Sequence, residues 1–300
     1  MVKKQNSKMK ILTFDVEEWY IEREYLGNRL HKFREYDMYL NLLLDVLDTK
    51  GIKATFMCVG ELARFYPYVV KTIAERGHEI GCHSNKHSWL TTLNAEELRE
   101  DTRSAIGALE DVTGEKVKCY RAPAFSIGNQ NKYAIEILAE NGIKIDSSIF
   151  PSARDFGGFA SFKSEKPTII RYNGVELKEF PICTTKILGK SFAYSGGGYF
   201  RFFPLAFVKK RMKNSDYVIS YFHIGDVIPL FNKFISRELY ESYFKETATF
   251  SNRLKRSIKS NLGVDGAFDK MCDLIVSTDF VSLGEAYKLI DWHKVDVVDV

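Results

Sequence analysis

The feature that most constrains this 300-residue chain is an alternation: short β-rich apolar runs are followed, again and again, by helical stretches, several of which stop at a glycine. KILTFDV opens at Lys10 as a buried strand that ends in acidic residues. Tyr39–Gly51 follows with Leu40, Leu43, Leu44 and Leu47 at helical spacing and Gly51 as the stop. The strand signal returns at Lys53, His78, Lys118, Ile143, Tyr217 and Phe280. One helix between strands opens on Asn94 with Glu97 three residues on, a capping-box signature, and closes at Gly114. Strands separated by helices of about 10–15 residues pair in parallel through crossover units. Seven strand starts predict an α/β fold of the (β/α) barrel kind, complete or incomplete, rather than an open doubly wound sheet. The whole chain, 1–300, reads as one domain. It carries a loop-rich insertion at about 151–204 and a helical extension at about 230–275.

The bulk numbers exclude more than they assign. With 45% hydrophobic and 27% charged residues, the composition is that of an ordinary globular protein. A formal charge of +4, with no basic stripe interleaved with aromatics, gives no support to a nucleic-acid partner. No GxGxxG or phosphate loop follows the first strand. Cys58, Cys82, Cys119, Cys183 and Cys272 are odd in number and form no CxxC pair, which fits a reducing compartment. The basic start MVKKQNSKMK is followed only by ILTF before Asp15, too short for the apolar core of a leader, and no run approaches the ~20 apolar residues of a membrane span. A cytoplasmic location is therefore expected. Nothing in the pattern specifies an oligomeric state.

In a βα barrel the chemistry collects at the C-terminal ends of strands. Here those ends carry Asp15-Val16-Glu17-Glu18, then His83 and His87, Arg121 with Pro123, Asp146-Ser147-Ser148, and His223. His83 and His87 stand four residues apart, so one helical turn would bring both imidazoles to one ion. Alone, that spacing also fits surface or capping histidines. A carboxylate from the first strand would complete a two-histidine, one-carboxylate site with open positions for water and substrate. His31, His78 and His293 read as structural or exposed.

The series TFDVEEW, HSNKH, YRAPAF, IDSS and YFH, in this order and spacing, resembles the polysaccharide deacetylases of carbohydrate esterase family 4. The resemblance spans about Leu12–Gly225. GGGYFRFFP and the helical tail resemble the subgroup associated with exopolysaccharide and capsule synthesis. It implies a distorted (β/α)7 barrel and metal-assisted hydrolysis of an N-acetyl amide on a hexosamine, or of an O-acetyl ester. One divalent metal is implied, with zinc first and cobalt or nickel as substitutes. The family pattern makes Asp15 the general base, His83 and His87 metal ligands, and Arg121 the partner that keeps Asp15 ionised. It gives the Ala124 amide to the oxyanion hole and His223 the role of general acid, oriented by an aspartate for which Asp146 is the nearest candidate. The family's usual second aspartate is replaced by Val16, so Glu17 is the expected acidic ligand and Glu18 the reserve. Residues two apart in a strand point the same way, which pairs Glu17 with Asp15.

Pro123, Phe125, Tyr199 and Arg201 are the expected substrate contacts, although a plain loop at Gly196–Arg201 is an equal reading. The implied partner is an acetylated amino-sugar glycan or a lipid- or nucleotide-linked precursor. A hydrolase of another amide or O-acetyl ester, or a non-catalytic glycan-binding protein that has lost its metal, are the alternatives.

Overall fold

A computed structural model describes residues 8–153, 157–187, 189–229, 234–244 and 246–300. The elements run β1 (Met9–Val16), α1 (Glu18–Tyr25), α2 (Leu30–Lys50), β2 (Thr55–Cys58), α3 (Gly60–Phe65), α4 (Pro67–Glu75), β3 (Glu79–Cys82), α5 (Ala95–Thr113), β4 (Cys119–Tyr120), α6 (Ala134–Glu140) and β5 (Ile145–Asp146). Two hairpins follow, β6 (Thr168–Tyr172) with β7 (Val175–Glu179) and β8 (Thr184–Ile187) with β9 (Lys190–Ala193). Then come α7 (Gly197–Phe202), α8 (Leu205–Asn214), β10 (Tyr217–His223), α9 (Arg237–Phe244), α10 (Phe250–Asn261), α11 (Ala267–Val276), α12 (Leu283–Leu289) and β11 (Val297–Asp299).

Among the described residues, nine strands form one sheet in the order β10-β1-β2-β3-β4-β5-β7-β6-β11. Only β6 and β7 are antiparallel to each other. β1, paired on both sides by β10 and β2, is apart from Met9 buried along its whole length, as a parallel strand covered on both faces must be. The sheet curls into a distorted barrel whose last gap is closed by single hydrogen bonds rather than a ladder. Tyr217 Oη on β10 donates to the Pro181 carbonyl (2.8 Å), and Ile219 N donates to Cys183 Sγ (3.4 Å). Gly196 makes a lone bridge to Tyr221. A Cβ on Gly196 would lie within van der Waals exclusion of the Tyr221 backbone, so this glycine serves close packing on β10.

The structure departs from the sequence reading in two places. The expected strand at Phe280 reduces to one bridge, Val281 with Ile11. From Thr13 onward β1 already pairs with β2, so only its first residues are open to Val281. The segment expected to be loop-rich holds two hairpins. The first turns on Asn173-Gly174, both at positive φ (47° and 82°), which is the Asn-Gly signal for a two-residue hairpin.

Candidate active site

Register builds the site. β1 and β10 pair so that the Cα of Asp15 is opposite that of His223. The C-terminal ends of β1, β3, β4 and β10 surround a cavity of about 310 Å³ bordered by Asp15, Glu17, His83, His87, Ala124 and His223.

Asp15 is buried and its Oδ1 accepts from Arg121 Nη1 at 2.6 Å. The fully buried guanidinium also donates to Thr13 Oγ1 (2.9 Å), Ser147 Oγ (3.0 Å) and the Ser147 carbonyl (3.2 Å), which fixes its plane. Burial pushes the Asp15 carboxyl up, but Arg121, with His83 and His223, outweighs it and holds the group below its ordinary value. The other oxygen, Oδ2, lies 3.7 Å from His223 Nε2. Burial pulls the His223 imidazole down, yet Asp226, Glu17 and Asp15 together hold it well above its ordinary value. Asp226 Oδ2 accepts from both the His223 backbone N–H (2.9 Å) and Nδ1 (3.0 Å), so the ring presents Nε2 to Asp15.

Glu17 stands at the N-cap position of α1, just past the strand end, and its carboxylate meets both histidines. Its Oε2 is 2.5 Å from His87 Nε2 and 3.5 Å from His83 Nε2. That oxygen is buried and has no hydrogen-bond partner among the described residues. A carboxylate oxygen and two ring nitrogens within 4.8 Å of one another form a donor set suited to a divalent cation. His83 Nδ1 is 2.7 Å from the Arg121 carbonyl, which directs Nε2 to Glu17. The two histidines do not share a helical turn as their spacing predicts. They lie in the loop after β3, where Ser84 (φ 64°) and His87 (φ 54°) take left-handed conformations that fold the chain back.

Glu18 turns elsewhere. Its Oε1 accepts from the Gly225 N–H at 2.5 Å, and burial together with Glu17 pushes it up to about 7. Val16 is fully buried in the core. Ala124, at φ 54°, borders the cavity, and among the described residues nothing accepts its N–H.

Four further expectations fare unevenly. Phe125 and Tyr199 border the cavity; Pro123 does not. Arg201 borders it too, but its guanidinium turns to the Lys259 and Ser260 carbonyls at the end of α10. Asp146 is not the partner of His223. It is fully buried, accepts from Ser148 Oγ at 2.5 Å and shares a hydrogen bond with Glu179, and burial pushes it up to about 6. Asp226, three residues on in HIGD, holds His223 instead. Trp89, Tyr221, Tyr243, Arg256 and Lys259 also border the cavity and were not singled out by the sequence.

Residues 3–145 match the family model for polysaccharide deacetylase, and residues 147–288 match a family described as a domain of unknown function (DUF3473). Over its first half the chain is similar to the polysaccharide deacetylases. A peptidoglycan-N-acetylglucosamine deacetylase from Bacillus cereus is 38% identical over 95 residues, which is 31% of this chain and 34% of that protein. The match thus spans about a third of the length of that relative. A solved structure described as a candidate polysaccharide deacetylase, from Mycobacterium smegmatis, superposes over 98% of this chain and 94% of its own with TM-score 0.64 and 18% identity. A pseudoenzyme of carbohydrate esterase family 4 from Bacillus anthracis covers 98% of this chain and 68% of its own, with TM-score 0.50 and 16% identity. These likenesses establish the distorted (β/α)7 barrel. Because the fold includes a pseudoenzyme, activity must be argued from the residues. The deacetylase model ends at 145, so His223 and Asp226 come from the part of the barrel matched by the second family.

Proposed function

We propose that this protein is a metal-dependent hydrolase that removes the N-acetyl group from an amino-sugar unit of a glycan or its precursor. The observation that carries the reading is the joint placement of Asp15 paired with Arg121, His223 bonded to Asp226 and the Glu17–His83–His87 donor set around one cavity. Zinc is the first choice for such a nitrogen and oxygen set, with cobalt or nickel as substitutes.

A divalent cation held by Glu17, His83 and His87 would supply Lewis acidity, polarising the acetyl carbonyl and acidifying the attacking water. Asp15, held ionised by Arg121, takes a proton from that water. The Ala124 N–H donates to the oxygen on which negative charge develops. His223, kept protonated by Asp226, gives its proton to the departing sugar amine as the C–N bond breaks. The products are acetate and a free amine. Phe125, Tyr199 and Trp89 line the cavity and supply aromatic surface for a sugar. The free cysteines, four of them buried, fit a reducing compartment, and so a cytoplasmic reaction on a precursor.

The test is acetate release from N-acetylglucosamine oligomers, muropeptides and O-acetylated sugars, with zinc-loaded and chelator-treated protein. Release from an N-acetylated substrate only when loaded supports the reading. Release from O-acetyl esters alone would move the reaction to the ester class. Saccharide binding without any release would leave a glycan-binding protein.

A further inference from the structure

The helix α10 presents the wrong face to solvent. In FSNRLKRSIKSN, Phe250, Leu254 and Ile258 are four residues apart, and Leu262 follows at the same interval. They are 70, 40, 50 and 54% exposed, and no residue of the helix is buried. The polar side faces the body of the protein, where Arg253 Nε donates to the Ile235 carbonyl (2.7 Å) and Ser257 Oγ accepts from Ile235 N–H (3.2 Å). A surface helix ordinarily buries its apolar stripe. Phe234, itself 40% exposed, packs on Phe250 with ring centroids 5.5 Å apart and widens the patch.

Charge identifies what covers it. The helix carries Arg253, Lys255, Arg256 and Lys259, and no acid occurs between Glu246 and Asp265. A second copy would set Lys255 and Lys259, the two exposed cations of the helix, against their own counterparts, since Arg253 and Arg256 turn to Ile235 and Phe244. An anionic lipid surface complements both the charge and the apolar stripe.

We propose that α10 docks this protein on an anionic membrane surface, with Phe250, Leu254, Ile258 and Leu262 entering the acyl boundary and Lys255 and Lys259 at headgroup phosphates. No helix among the described residues is long and apolar enough to cross a membrane, so the attachment is interfacial. The same helix walls the cavity through Arg256 and Lys259 and is tied to α7 by Arg201. On the deacetylase reading, a docked helix would place the cavity beside a sugar carried on lipid.

The test is co-sedimentation of the full chain with vesicles of equal parts phosphatidylglycerol and phosphatidylcholine, against phosphatidylcholine alone. Binding to the anionic vesicles, weakened by salt, is expected. The double variant Leu254→Glu/Ile258→Glu should reduce it by about tenfold or more, and Lys255→Glu should reduce it less. Both apolar side chains are exposed, so the wild-type melting temperature serves as the folding control. No binding to anionic vesicles, equal binding by the double variant, or a dimer that the double variant dissociates would each overturn the proposal. Vesicle binding lost in the variant while the wild type releases no acetate would leave the docking standing and remove the deacetylase reading.

Discussion

At the residue scale, the decisive contrast is between two aspartates. Asp226 is bonded twice to His223, whereas Asp146 is enclosed with Ser148 and Glu179. His223 donates its proton only while charged, so rate is lost as pH rises through its raised pKa. Asp226→Asn removes the foremost of the charges that raise it, so the alkaline limb of kcat/KM should move to lower pH. Asp146→Asn should leave that limb in place. Movement in Asp146→Asn alone would restore the sequence-based assignment. His223→Ala should lower kcat by about 10²–10⁴. Ordered motifs pointed to Asp15, Glu17, His83, His87, Arg121 and His223, and the structure gathers them around one cavity. Glu17 was reached through strand parity, yet it lies one residue beyond the strand, where the cap of α1 positions it. Asp226 lay outside the quoted motifs, and nothing in its local pattern distinguishes it from a solvated acid.

At the element scale, the β2–β3 edge carries a pH-sensitive contact that catalysis does not use. Ala54 N donates to His78 Nδ1 (3.3 Å), and the buried Nε2 has no partner among the described residues. Burial first, then Lys53, pulls this imidazole down to about 4 from 6.5. Between those values the unfolded chain binds a proton that the folded one does not, so stability falls as pH drops through the interval. Melting temperatures at pH 7 and pH 5 should therefore fall further apart in the wild type than in His78→Gln. An equal drop in both would dismiss His78 as the cause. α2 was readable from its leucine spacing and α5 from its capping box and glycine stop. The β6–β7 hairpin carries its own signal, Asn173-Gly174 between TIIRY and VELKE, although the segment around it reads as loop-rich. On α10 the four-residue spacing of Leu254, Ile258 and Leu262 defines an apolar face, but periodicity cannot tell which way it points.

At the scale of the whole molecule, the two matched families make one barrel. β10, from the second, pairs with β1 along seven residues, and β7 pairs with β5. Removing the second part would bare an apolar edge of β1 and take away His223. Residues 1–146 expressed alone should therefore lack a cooperative unfolding transition, measured by near-ultraviolet circular dichroism against denaturant. A fragment that unfolds sharply would show two independent domains. The barrel was legible because alternating strands and helices admit few closures. Its unlaced gap, bridged by Tyr217 and Cys183, depends on contacts about 36 residues apart that no local pattern records.

The account stands on Glu17, His83 and His87 as a metal site. The measurement is bound metal per chain by elemental mass spectrometry, on protein prepared without a polyhistidine tag, for wild type, Glu17→Gln and Glu18→Gln. Near one zinc per chain in wild type and Glu18→Gln, lost in Glu17→Gln, is the expected result. A wild-type protein that takes up no zinc after dialysis against it, or a Glu17→Gln variant that keeps its metal, would contradict it.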